Sequence, residues 1–149
     1  MAEIVDESVV PEADADAEAA GAIPWHFWAV VAVALLWNGY GAYDYTSYQL
    51  GMATVDPATQ AVLDTAPVWA TAGWALGVWG SFVGAVLMLL RSHYATSAFA
   101  VSLVAAIVSF AWQFSVGIVP TPILPLVILG AVAFFWWYAA KMRREGVLR

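Results

Sequence analysis

Three long stretches of this chain carry no formal charge: Glu18 to Asp44, Asp64 to Arg91, and Arg91 to Lys141. Few folds are open to a sequence built this way. At ~1.5 Å per residue, each of the first two runs can cross a hydrocarbon layer of ~30 Å once as a helix, and the third can cross it twice. Inside that layer every backbone N–H and C=O needs a partner within the protein, so only helices and closed barrels can span it. No strand-length alternation of apolar and polar residues occurs, which removes the barrel. The sequence therefore predicts an all-α polytopic membrane protein with four transmembrane helices, at about 23–43, 67–90, 95–115 and 121–140, and an outer loop at 44–66. Composition agrees, since 63% hydrophobic residues, 11% charged residues and nine Trp do not describe a soluble core with a wet surface.

The net charge of −6 is unevenly placed, because seven of the eleven acidic residues lie before residue 19. Residues 1–22 read as a disordered acidic cytoplasmic tail, low in hydrophobicity and lacking the basic start of a signal peptide. All five basic residues fall at one set of span ends: Arg91 between spans two and three, and Lys141, Arg143, Arg144 and Arg149 after span four. The positive-inside rule then predicts both termini in the cytoplasm, with 141–149 a basic cytoplasmic tail, and Asp44, Asp56 and Asp64 outside. "PWHFW" at 24–28 and "FFWWY" at 134–138 form an aromatic belt at the cytoplasmic interface. Within the outer loop, Asp56 as N-cap and Pro57 at the first position predict a short helix, whose Ala58, Ala61 and Val62 would lie on headgroups or over the bundle mouth.

Gly73, Gly77, Gly80 and Gly84 in span two are spaced four, three and four, and so share a strip roughly 60° wide on a helix. Span three carries Ala98, Ser102, Ala106, Ser109 and Gln113 at similar spacing. The brief "RSHYA" turn makes these helices antiparallel neighbours, and the two stripes of small residues are expected to pack on each other; a homodimer seam is the alternative use of such a stripe.

"LLWNGYGAYDY" at 35–45 begins as apolar helix and ends in polar groups and glycines. Trp37, Gly41, Asp44 and Tyr48 share one helical face, with Asn38 on the adjoining one. An amide as deep as Asn38 should turn toward other helices. Tyr40 and Gln113 are candidate partners, and Trp69, Trp74 and Trp112 can reach the same region. Together Trp37, Asn38, Tyr40, Asp44, Trp74, Trp112 and Gln113 suit a small neutral polyhydroxylated solute, its apolar faces on rings and its hydroxyls on amide and carboxylate. The competing reading makes Asn38 helix-to-helix glue and Asp44 a solvated helix-end acid.

Enzymatic chemistry finds little support. The two histidines, His26 and His93, have no second His four residues on, which argues against zinc and a bis-His haem; no metal or cofactor is expected. With no cysteine there is no disulfide, thiolate metal site or thiol nucleophile. No phosphate-binding glycine loop or paired carboxylates occur, so the chain is read as a non-enzyme, with the lipid bilayer as partner and no nucleic acid.

At "LLWNGYGAYDY", together with "PVWATAGWALGVWGSFVGAVLMLLR" at 67–91, the chain resembles a family of small four-helix bacterial membrane proteins labelled sugar transporters. The resemblance covers roughly residues 24–140 and implies an inner-membrane protein handling a sugar-like solute. It implies no particular binding residues. Four helices scarcely enclose a path alone, so a transporter of this size is expected to be a homo-oligomer. The alternative is a non-catalytic accessory subunit of a larger membrane complex, and the two are told apart by whether the glycine stripe is filled from within the chain.

Overall fold

The computed structural model describes residues 23–149, so the expected tail over 1–22 lies outside the described residues. Among the described residues there are five helices: α1 (Trp25–Gln49), α2 (Pro57–Leu63), α3 (Val68–Leu89), α4 (Tyr94–Ser115) and α5 (Ile123–Arg144). The helices α3, α4 and α5 are long and apolar enough to cross a membrane. The longest helix, α1 with 25 residues, falls short of them in apolar character, because Trp, Tyr, Asn and Gly interrupt its aliphatic residues. Outward-facing Leu36, Val68, Leu90, Val104 and Leu126 stay largely exposed, as side chains do on a bundle whose surroundings are themselves apolar.

The boundaries follow from local chemistry. Prolines at 24, 67 and 122 each occupy the N-cap position of a long helix, where a missing N–H removes nothing. Asp56 caps α2 by accepting from the Thr59 N–H at 3.0 Å, and Pro57 follows it. At the other ends the chain turns through a left-handed residue, with the N–H beyond it reaching back to the last turn: Ser92 N–H to Leu87 O is 2.8 Å. Gly51, Gly117 and Gly146 hold this position after α1, α4 and α5; after α3 it is Arg91, at φ 57°. A side chain there is disfavoured by roughly 1 kcal/mol. The Arg91 Nε–H donates to Val147 O at 3.1 Å, which opposes that strain.

Three boundaries differ from the sequence expectation. The helix that carries the expected span at about 23–43 runs on to Gln49, with the Thr46 hydroxyl donating to Ala42 O at 2.7 Å. The outer loop is thereby shorter than 44–66. Residues 141–149 are not a free tail either: Lys141–Arg144 complete α5, and the chain then folds back over the α3–α4 turn. Arg149 N–H bonds Arg91 O at 2.8 Å, His93 N–H bonds Arg149 O at 3.0 Å, and Val147 and Leu148 are buried. On α2, Ala58 and Ala61 are exposed and Val62 is half-buried, while Thr59 and Leu63 line a cavity of the bundle.

The helices α3 and α4 form the closest pair. A Cβ added at Gly77 would stand 3.3 Å from Ala106 Cα, and one at Gly80 would be 3.1 Å from Ser102 Cβ. At Gly73 the obstacle is Ala105 O at 3.0 Å, and at Gly84 the Phe99 ring at 3.0 Å. The buried Ser102 hydroxyl donates to Gly77 O, tying the two backbones directly. Against this pair, α1 packs on α3 and α5 packs on α4. The apolar core lies toward the basic end, where Phe27 and Val31 meet Met88, Phe99, Phe135 and Met142. Here α1 also touches α5, through a 2.6 Å hydrogen bond between His26 Nδ1 and the Tyr138 hydroxyl. Toward the opposite end α3 and α4 remain in contact at Gly73 and Ala105, and a cavity opens beside them.

Candidate functional site

Where α1 and α5 separate, a cavity of about 440 Å³ opens between the four long helices. Its volume falls in the range of roughly 300–1,000 Å³ typical of small-molecule sites. One wall is the outer half of α1, with Trp37, Asn38, Tyr40, Gly41 and Asp44. Facing it, α3 supplies Trp74, Gly77 and Ser81, and α4 supplies Ala106, Ser109, Phe110 and Gln113. Leu124, Ile128 and Val132 of α5 complete an otherwise apolar side. The small residues that let α3 and α4 approach so closely also leave room beside the pair, so packing stripe and cavity share Gly77, Ala106 and Ser109.

Asn38 is the most constrained polar group in this space. It is 4% exposed, and its Nδ2 donates to Ala34 O of its own helix at 2.8 Å. Among the described residues nothing donates to its Oδ1, although that atom is not sealed from the cavity. A ligand hydroxyl or N–H arriving in the cavity finds this oxygen accessible and uncommitted as an acceptor. Gln113 is arranged alike: its Nε2 donates to Ser109 Oγ at 3.2 Å, leaving its Oε1 without a donor among the described residues. Asp44 is exposed at the rim and makes no ion pair among the described residues. The acceptors at this end therefore outnumber committed donors, which favours a ligand rich in hydroxyls.

Next to this cavity, toward the loop, lies a second one of about 330 Å³. Thr59, Leu63 and Asp64 of α2 and its C-terminal end roof it, Tyr48 and Thr71 flank it, and Trp112 and Ile118 form its far side. Trp74, Ser109 and Gln113 line both cavities. Trp74 is held there by Tyr45, edge-on at a centroid distance of 5.0 Å, and by Tyr48 at 5.1 Å.

Of the seven solute-site residues expected from sequence, Trp37, Asn38, Tyr40, Asp44, Trp74 and Gln113 share the inner cavity. Trp112 does not; it belongs to the outer one, because α4 turns it away from α1. Trp69 lies on the outside, 55% exposed, and lines neither. Ser81 and Phe110 were not foreseen, although Ser81 continues the register of Gly77 by one helical turn. His26 and His93 are remote from both cavities, and among the described residues no group of His, Asp and Glu is placed to hold a metal ion. Comparison with protein families, curated proteins and solved structures returns no match.

Proposed function

We propose that the chain is a four-span membrane protein whose inner cavity binds a small neutral, hydroxyl-bearing solute of the sugar class and passes it across the bilayer as a homo-oligomer. The Asn38 side chain, 4% exposed as a whole and lining the cavity with a carbonyl oxygen that accepts no bond from the described residues, is the observation that carries this reading. Trp37 and Trp74 add the flat apolar faces on which a sugar ring stacks. As the fourth span, α1 has 25 residues, about 37 Å at the helical rise, and its Trp and Tyr are residues that membrane interfaces favour. Arg91 and Arg149 meet at one end and Asp44, Asp56 and Asp64 gather away from it, so the basic end is taken as cytoplasmic and the inner membrane of a bacterium as the location.

The accessory-subunit reading is disfavoured by the glycine stripe. All four glycines are filled by α4 of the same chain, leaving no such groove for a partner helix. The test is solute binding and liposome uptake, measured on the same preparations as thermal stability. Asn38→Leu gives up one bond within its own helix, so it should fold normally, and it should weaken binding about tenfold, the equivalent of ~1.4 kcal/mol. Asp44→Asn should weaken binding while leaving stability unchanged. Uptake that survives both substitutions would overturn the proposal.

A further inference from the structure

The geometry points to two solute chambers in series, an outer one beneath α2 and the inner one at Asn38, divided by the Trp74 side chain. The inference rests on the solute-site reading above and goes beyond it by giving the inner cavity an entrance. Three observations carry it. Both cavities are lined by the same three residues, Trp74, Ser109 and Gln113, so they adjoin there. Both offer polar groups: Thr59, Asp64, Thr71 and Tyr48 give the outer chamber hydroxyls and a carboxylate, and the inner one sets Asn38, Asp44 and Ser81 against an aliphatic side from α5. The partition is movable in principle, since Trp74 is fixed by ring contacts to Tyr45 and Tyr48 rather than by any hydrogen bond of its own among the described residues.

The outer chamber would thus take the hydrated solute, exchanging its water for hydroxyl and carboxylate partners, and release it past Trp74 to the aromatic walls and the waiting Asn38 oxygen. Such a path discriminates by ring size at Trp74 and by hydroxyl count at both ends. The competing route is lateral. Tyr40 and Leu124 line the inner cavity while remaining mostly exposed, so a lipid-soluble molecule would arrive between α1 and α5 instead.

The chain has no cysteine, which permits a test independent of any solute. Gly41 lines the inner cavity and a Cβ there meets nothing within 4 Å, so Gly41→Cys fits as a reporter. The full chain carrying it, in nanodiscs, is labelled with a small cationic methanethiosulfonate and followed by intact-mass spectrometry. Exposed Ala61→Cys gives the reagent's unhindered rate. Thr71→Trp and, separately, Thr59→Trp fill the outer chamber and should each slow labelling of Gly41→Cys by about tenfold, the change given by ~1.4 kcal/mol in barrier. Trp74→Ala should accelerate labelling. Slowing by Leu124→Trp with none from Thr71→Trp or Thr59→Trp would overturn the series path in favour of entrance from lipid. An unlabelled Gly41→Cys that stays unlabelled with Trp74→Ala would overturn the connection itself. Because the reagent needs no binding site, the solute reading can fail in uptake while this path stands, and the reverse.

Discussion

Replacing Gly77 by leucine is the sharpest perturbation of the fold, because its neighbours are backbone. The first carbon added would already sit 3.3 Å from the Cα, the Cβ and the N of Ala106, none of which can rotate away. The rest of the leucine side chain then forces α3 and α4 apart over at least a turn. Overpacking of this kind destabilises by about 1–3 kcal/mol. Separation also stretches the Ser102 hydroxyl bond to Gly77 O, worth on the order of 0.6 kcal/mol between membrane helices. The sum, roughly 2–4 kcal/mol, corresponds to a melting point lower by on the order of 10 °C for a chain of this size. Gly130→Leu is the matched control, since an added Cβ at Gly130 meets nothing within 4 Å. Melting of purified protein in a mild detergent, followed by near-ultraviolet circular dichroism of the tryptophans, reads both. If the two variants melt together, the α3–α4 contact is not what holds this bundle, and the argument from the stripe fails.

The remaining expectations concern other parts of the chain. Gly84→Ala and Gly73→Ala should both lower the melting point, because the added carbon meets the fully buried Phe99 ring in one case and the Ala105 carbonyl in the other, each at 3.0 Å. Arg91→Ala should destabilise by about 1–3 kcal/mol, losing the bond to Val147 O while keeping left-handed strain, whereas Arg91→Gly should recover roughly 1 kcal/mol of it. Leu148→Ala should destabilise by about 2–3 kcal/mol and speed amide exchange at Arg149 and His93, as expected for a buried leucine that pins a turn. Ala61→Cys and Ser92→Cys, exposed to an impermeant maleimide in sealed vesicles, should label from opposite sides; labelling of both from one side would refute the proposed orientation.

The glycine stripe could be read from sequence because helical spacing alone puts four residues without side chains on one strip, and only another backbone fits there. Asn38 was legible for a related reason, since a deep amide has to face inward. What periodicity cannot supply is the rotation of each helix about its axis once packed. That rotation sends Trp112 to one cavity and Gln113, its neighbour, to the boundary of both. Nor do charges mark the ends of helices here: Asp44 looks like a terminus, yet the helix continues to Gln49, with the Thr46 hydroxyl on its own backbone. The return of Val147 and Leu148 escaped notice for a different reason. Two apolar residues among Arg, Glu and Gly carry no periodic signal, and their burial depends on the Arg91 turn, distant in sequence.

The fold-back of residues 145–149 imposes an order on assembly. Helices enter the bilayer as they leave the ribosome, and neighbours in sequence can pair at once. The α3–α4 hairpin has everything it needs when α4 is complete, its glycines and the Ser102 hydroxyl being local to it. The Arg91 turn does not. Its side chain and its carbonyl wait for Val147 and Arg149, and the Tyr138 hydroxyl that joins α5 to α1 is made only shortly before them. Until translation reaches that point the basic end is a loose sheaf with Met88 and Phe99 lacking Met142 and Leu148 as neighbours. The outer cavity is thus framed by α1 to α4 and Ile118, whereas the inner one lacks Leu124, Ile128 and Val132, and the basic end its latch, until α5 is in place.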